Sequence, residues 1–482
     1  MCVVWGGMKN KKILIISEYI APVQAVASIR WTKFAKYLAK ENGCEVTVLT
    51  NAKSYKRGVF QSKPYAKDPA LEKDMQWFTT VEIPHSVAQA FSNAIFNLGR
   101  NALDALKSRS TAGVQRHAPD TSAQSGALSG EKNHKLDAAL TNSLPERIYE
   151  LVDGWCGRAL VCAGARARVE WDSFDVMIST YGPLWPHLLA ADIKRAHGGI
   201  LWVADFRDPI VNSVRTDTPA NRRLAREVTD HADLITAVSQ GTLENLYLDG
   251  TCPSAVLVNG FDPDEVSESG RRCSDVFLFV YTGTLYSDNT CRSDLSPLFM
   301  AIEEASRRGW LDLSRVRVEY AGSTSHLFQR FAREYPDVPA FDHGLLPRDE
   351  ALALQDRASA LVVASWNNSN QVGVLTGKVF EYLSRDVPVI GLCSGDIPDS
   401  NLRCLIEDCG AGMCYEEADE ETYDDLVSFV GGLYLQWSEK GLTHRDSRAA
   451  ERVRRYSYPE LAERLVSSMG SCRSPNESSL SL

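Results

Sequence analysis

The sequence predicts an α/β protein made of two doubly wound domains, and three observations carry that expectation. Short apolar runs alternate with helical segments near the N-terminus and again from residue 175 to residue 414. Such alternation is the signature of parallel strands joined by crossover helices. The chain has 482 residues, more than one core usually organises, since single cores stop growing near ~250–300 residues. Finally, Leu375-Thr376-Gly377-Lys378-Val379-Phe380-Glu381-Tyr382-Leu383 lies between two apolar runs, Ala360 to Ala364 and Val387 to Leu392. That places a Gly-Lys turn where a helix begins at the carboxyl edge of a parallel sheet.

Taken in order, Lys11 to Ser17 reads as a buried strand, Ile29 to Leu38 as a helix and Glu45 to Thr50 as a second strand, a βαβ opening. The loop from Glu18 to Ser28 carries Pro22 but no glycine. The dinucleotide fingerprint is therefore missing, which argues against a nicotinamide or flavin cofactor, and none is expected. From Lys53 to about Trp171 the alternation lapses, apart from a strand at Thr79 to Ile83. Phe91, Ile95, Phe96, Leu98, Ala102 and Leu106 have rough helical spacing, and residues 108–135 are polar and small. A mobile insertion is expected at about 100–140. The next segment, 145–168, interleaves Ile148, Leu151, Val152, Trp155, Leu160 and Val161 with Arg147, Arg158, Arg166 and Arg168. It fits helices packed on a domain surface first, and as the alternative a segment resting in a membrane interface.

Alternation then returns. Asp175 to Ser179, Gly199 to Asp205 and Leu234 to Val238 read as strands, Pro186 to His197 and Ala220 to His231 as helices, and Ala255 to Asn259 closes the series. After a polar stretch from Asp262 to Asp275, a second series has strands at Val276 to Tyr281, Val316 to Ala321, Ala360 to Ala364, Val387 to Leu392 and Gly410 to Cys414. The expected boundary is near residue 262. Two Rossmann-like domains would face each other across a cleft, with ligand at the strand ends that line it.

Composition narrows the function classes. Hydrophobic residues at 44% and charged residues at 24% are ordinary for a globular enzyme, while a net charge of −10 opposes binding of nucleic acid, so no nucleic-acid partner is expected. The apolar run from Met1 to Gly7 is short and precedes Lys9, Lys11 and Lys12, the reverse of a signal peptide, and no stretch approaches the ~20 apolar residues of a membrane span. A cytoplasmic location is expected. Twelve cysteines occur without a CxxC pair or a Cys/His cluster. They read as small core hydrophobes, and no metal site is expected.

The Thr376-Gly377-Lys378 turn has the chemistry of a phosphate site. Free N–H groups favour an anion, Gly377 lets the main chain approach it, Lys378 adds a charge, and Glu381 one turn on suits ribose hydroxyls. The same residues also fit an ordinary βα turn with a surface lysine and a solvated glutamate.

Several stretches resemble one known group. Leu201-Trp202-Val203-Ala204-Asp205-Phe206-Arg207-Asp208-Pro209 is similar to the ADFRDPW motif of a bacterial branch of family 4-like glycosyltransferases, and Tyr281-Thr282-Gly283-Thr284-Leu285 to their YxGxL turn. Gly344 to Ala351, Thr376 to Leu383 and the opening from Ser17 to Leu38 resemble the family as well. The resemblance implies a GT-B fold and a nucleotide-sugar donor held by the C-terminal half, with no essential metal. It implies main-chain contacts from Gly283 and Thr284 to the donor diphosphate, Leu345 near the nucleobase, Thr376, Gly377 and Lys378 near phosphate and sugar, and Glu381 at the ribose. Residues 1–261 would form the acceptor-side domain, 262–440 the donor domain, and 441–470 helices packing back on the N-terminal domain, before a disordered tail at 471–482. The implied activity is sugar transfer, with retention, to a glycan or lipid-linked acceptor in polysaccharide or other surface-glycan synthesis, with peripheral contact at the inner membrane face.

Two departures stand out. Gly373 occupies the place of a family glutamate that contacts the transferred sugar, and Val23 to Ser28 replaces a glycine-rich acceptor loop, leaving Arg30 as an anion contact. Asp262-Pro263-Asp264 resembles a metal-binding DxD only superficially. The catalytic candidates are Asp205, Arg207, Asp208 and His187. The first three follow an apolar strand, where Arg207 would stabilise charge while a carboxylate orients the incoming hydroxyl; an internal Arg–Asp ion pair fits them equally. His187 fits a cleft position or a half-buried helix start. Tyr181, Trp185 and Trp366 suit stacking on a sugar or base, or the core. A GT-B epimerase acting on nucleotide sugars and a non-catalytic binding subunit are the alternatives in function.

Overall fold

The computed structural model describes residues 9–51, 66–84, 164–165, 168–208, 210, 219–244, 246, 252–266, 274–287, 291–369, 371–446 and 449–472. The insertion expected at about 100–140, nearly all of segment 145–168 and the tail from 473 lie outside these residues.

The described strands form two sheets. The first contains β1 Lys12–Ile16, β2 Glu45–Asn51, β3 Thr79–Ile83, β4 Val176–Thr180, β5 Leu201–Phe206, β6 Leu234–Ala237 and β7 Ser254–Val256, in the order β3-β2-β1-β4-β5-β6-β7. The second contains β8 Phe277–Thr282, β9 Val316–Ala321, β10 Ala340–Asp342, β11 Ala360–Trp366, β12 Val389–Ser394 and β13 Gly412–Glu416, in the order β10-β9-β8-β11-β12-β13. Pairing is parallel, as where Ile13 lies opposite Val46 and Phe279 opposite Val318. In each sheet the chain winds outward from its first strand one way, then returns to wind the other way. The point of reversal lies between β1 and β4 in one sheet and between β8 and β11 in the other. Crossovers diverge there, and a crevice opens at the carboxyl ends of the strands.

Covered parallel strands are apolar on both faces, and β8 shows how two layers are built from one strand. Phe277, Phe279 and Tyr281 pack with Phe299, Ile302, Leu426, Val430 and Trp437 of helices Ser296–Arg307 and Glu421–Lys440. Leu278 and Val280 face the other way, with Phe380, Leu383, Leu402 and Ile406 of helices Gly377–Leu383 and Asn401–Cys409. The period of two residues makes this division automatic. Edge strand β10 was not expected. It has three residues, none fully buried, and follows Pro339, so no apolar run marks it.

Close contacts divide the chain into two compact units, Lys12–Thr32 with Glu45–Ile200, and Met1–Lys11 and Lys33–Cys44 with Leu201–Leu482. Within the latter unit, the Tyr458 ring stands edge-on to Phe34 at 5.4 Å. Phe261 bridges to Ser457 beside Gly260, where a Cβ would come within 2.6 Å of Leu461.

The same unit holds a buried ionic cluster. Lys33, Lys36, Tyr37 and Lys40 share one face of helix Val26–Lys40. Asp262 lies 2.6 Å from Lys33 and 2.8 Å from Lys36, and accepts the Tyr37 hydroxyl at 2.5 Å. Lys36 and Lys40 each lie 2.8 Å from Asp264. Burial alone would raise the Asp262 carboxyl, but Lys33, Lys36 and Tyr37 hold it down at about 2. The DxD-like carboxylates are thus engaged by lysine ammonium groups. Among the described residues there is no group of His, Cys, Asp and Glu arranged to hold a metal ion, and no helix long and apolar enough to cross a membrane.

Candidate functional site

At the reversal point of the second sheet, β8 ends in Thr282 and Gly283 follows with φ of +130°, a conformation glycine adopts freely and other residues rarely do. The turn is pinned from three sides. Thr282 N–H donates to Tyr382 Oη at 2.8 Å, Gly283 N–H donates to the Ala321 carbonyl at 2.6 Å, and Tyr320 Oη donates to the Gly283 carbonyl at 2.8 Å.

Lys378, from the helix after β11, lies across this glycine. A Cβ at position 283 would fall 1.6 Å from Lys378 Cε and 2.1 Å from its Nζ, so the missing side chain is the space the lysine uses. The ammonium makes no hydrogen bond to a described residue. Burial lowers its pKa, Glu381 opposes that shift and Arg348 reinforces it. Lys378 is half-buried, and a partly desolvated cation without a hydrogen-bonding partner is relieved by an anion. Thr376 precedes the same helix without capping it, and its Oγ1 is buried with no partner among the described residues.

Glu381 lies one turn beyond Lys378. Its Oε1 accepts from Gln355 Nε2 at 2.6 Å and its Oε2 lies 3.2 Å from Arg348 Nη1. Gln355, fully buried, also donates to Thr282 Oγ1 at 2.9 Å. Thr284 is tied by its hydroxyl to Ser323 at 3.2 Å, and its carbonyl accepts from Tyr281 Oη at 3.1 Å. Leu345 follows Gly344, whose φ is +68°, on the loop from β10 to helix Arg348–Asp356, and is 77% exposed. Gly283, Lys378 and Glu381 are therefore brought together, with Thr284 adjoining. Sequence reasoning missed Tyr320, Tyr382, Arg348 and Gln355. Arg348 and Gln355 stand seven apart on one helix, a same-face spacing that carried their signal.

The residues expected at the end of β5 separate. Asp205 is fully buried within the strand and accepts Thr236 Oγ1 at 2.8 Å from its partner position on β6. Arg207 and Asp208 continue outward, with Arg207 Nε 3.5 Å from Asp208 Oδ2 and side chains 22% and 67% exposed. Asp208 lies near Tyr286, three residues past Gly283. Burial raises that phenol's pKa, with Cys291 and Asp208 adding to it. Tyr286 meets the Trp366 ring edge-on at 5.3 Å, and Trp366 Nε1 donates to Gln371 at 3.0 Å.

His187 belongs to the other compact unit. It is fully buried in helix Trp185–Ala196, with Nδ1 2.7 Å from Ser179 Oγ and its ring stacked at 6.1 Å on Tyr181. Trp185 Nε1 donates to Glu18 Oε2 at 2.6 Å. Gly373 has φ of +76°, and a Cβ there would lie 3.3 Å from Gly241 Cα. A side chain at this place is strained, so the backbone here favours glycine.

No protein-family model matches the chain, and no curated protein matches it. Solved structures do. The chain is similar to a protein from E. coli described as trehalose-6-phosphate bound with UDP-2-fluoro glucose, with a TM-score of 0.58 and 11% identity over 96% of this chain and 99% of that one. It is similar to a UDP-forming trehalose-phosphate synthase from Burkholderia xenovorans, with a TM-score of 0.55 and 11% identity over 96% and 99%. It is also similar to the N-terminal domain of Candida albicans trehalose-6-phosphate phosphatase, with a TM-score of 0.55 and 11% identity over 96% and 97%. Two parallel Rossmann-like sheets with these neighbours make the fold GT-B.

Proposed function

We propose that this GT-B chain is a glycosyltransferase that moves a sugar from a nucleotide-sugar donor to an acceptor hydroxyl, with retention at the anomeric carbon and without a metal ion. The observation that carries this reading is Lys378, a half-buried cation lying across the Gly283 turn at the reversal point of the second sheet. The donor's diphosphate would meet Lys378 and the main chain at Gly283, Thr284, Thr376 and Gly377. Its ribose would meet Glu381 and its base Leu345. One structural neighbour is bound with UDP-2-fluoro glucose and another is UDP-forming, which supports a uridine donor, and the motif resemblance supports a family 4-like enzyme.

In the transfer, the bond from anomeric carbon to diphosphate oxygen breaks, the acceptor oxygen bonds to the same carbon, and the hydroxyl proton is released. Lys378 and fixed N–H groups would stabilise the charge that develops on the leaving oxygen. Arg207, half-buried, and Asp208, exposed, would act on the sugar and the acceptor. Asp205 and His187 would serve by holding the strand ends they are bonded to. The acceptor would be a glycan or lipid-linked sugar in surface-glycan synthesis, used by a cytoplasmic protein in peripheral contact with the membrane.

The test is incubation with UDP-, GDP- and ADP-sugars, with nucleotide products separated by chromatography. Free nucleoside diphosphate, its release accelerated by acceptor sugars and abolished by Lys378→Ala, is the expected outcome. A new sugar nucleotide would identify an epimerase, and no product from any donor would leave a binding subunit.

A further inference from the structure

We propose that Arg348 is a positioning residue which sets the selectivity of the nucleotide site for ribose, by bridging Glu381 to Glu265. The inference rests on the reading of Glu381 as the ribose-binding group.

Arg348 opens helix Arg348–Asp356, and its guanidinium spans two carboxylates. One nitrogen donates to Glu265 Oε2 at 2.7 Å, and the other lies 3.2 Å from Glu381 Oε2. Glu265 is anchored in turn by Lys33 at 2.7 Å, in the buried cluster around Asp262. On its other side, Glu381 Oε1 takes the Gln355 amide, which Thr282 and its own burial hold still. Both carboxylate oxygens are therefore oriented before any ligand arrives, and each retains acceptor capacity. A diol needs two acceptors at a set spacing and angle, and a carboxylate free to rotate would lose part of that in ordering itself. Arg348 is suited to the task because its planar fork fixes directions that an ammonium group does not.

The chain of contacts also reaches farther than the site. Lys33, Glu265, Arg348 and Glu381 are joined in series, each link at 3.2 Å or less. The ribose group is thereby tied to the turn Pro263–Glu265 and to helix Val26–Lys40.

The experiment compares UDP, GDP and ADP with their 2′,3′-dideoxy forms by calorimetry, on the parent chain, Arg348→Ala, Arg348→Lys and Glu265→Gln. Thermal unfolding of each variant reports whether it is folded, and Glu265→Gln serves if Arg348→Ala is not. The parent should prefer the ribose form by about tenfold or more, the value of charge-assisted hydrogen bonds to two hydroxyls. Arg348→Ala and Glu265→Gln should lose most of that preference while binding the dideoxy form as the parent does, with Arg348→Lys restoring it only in part. In a Glu381→Ala background, Arg348→Ala should have no further effect on ribose selectivity. Equal losses for both forms, or unchanged preference in folded variants, would overturn the inference. If the parent binds a nucleotide without preferring ribose, this inference alone fails. If it binds none of the three, the nucleotide reading itself fails.

Discussion

At the scale of single residues, Lys378 and Gly283 form a matched pair. Gly283→Ala forces a side chain into a positive-φ position and into the space of Lys378 Cε. Strain of this kind costs about 1–3 kcal/mol, so the variant should unfold at lower temperature and bind nucleoside diphosphate more weakly, readable by calorimetry and thermal scans. Lys378 supplies a pH prediction. Its pKa is lowered in the folded chain by burial, so the unfolded chain binds more protons between that lowered value and the ordinary lysine value, and fold stability rises with pH across the window. A diphosphate beside the ammonium reverses the shift. Nucleotide binding in that window should take up a proton, seen as a binding enthalpy that varies with the ionisation enthalpy of the buffer. In Lys378→Ala the variation should vanish, and its persistence would assign the proton elsewhere.

At the scale of elements, the turn Pro263–Glu265 and helix Val26–Lys40 are joined by charges removed from water. Removing one partner of a buried pair costs about 3–5 kcal/mol, so Asp262→Asn should destabilise the fold by roughly that amount near neutrality. The Asp262 carboxyl sits at about 2, below its ordinary value. Its stabilising contribution is therefore complete above the ordinary carboxylate value and disappears as pH falls through about 2, with Asp264 and Glu265, also lowered, following the same sign. Acid titration of stability should be shallower in Asp262→Asn than in the parent, measured by denaturant unfolding across that range. None of this cluster was legible in the sequence, because Lys33 and Asp262 stand 229 positions apart and only the fold joins them. The strands were legible for the opposite reason. Runs such as Phe277–Thr282 and Ala360–Trp366 are apolar on both faces, and burial on both faces demands that locally. Asp205 shows the limit of such reading: the strand's end was visible, but not that its side chain would bond to Thr236 on the next strand.

At the scale of the whole molecule, both sheets use one winding order, and the proposed donor site sits where theory places it in the second. The motif after β5 is where the proposed chemistry is tested. Arg207→Lys and Asp208→Asn should lower turnover far more than donor affinity, because contacts made mainly in the transition state appear in kcat. Parental turnover with a lowered melting temperature would assign them to the scaffold instead. The central claim is that a nucleoside diphosphate occupies the crevice bounded by Gly283, Lys378 and Glu381, and calorimetric titration of UDP, GDP and ADP into the parent, Lys378→Ala and Glu381→Ala tests it most directly. The account predicts that at least one nucleotide binds the parent and that each folded variant loses on the order of 1.5–3 kcal/mol of that affinity; binding as tight in both variants as in the parent would contradict it.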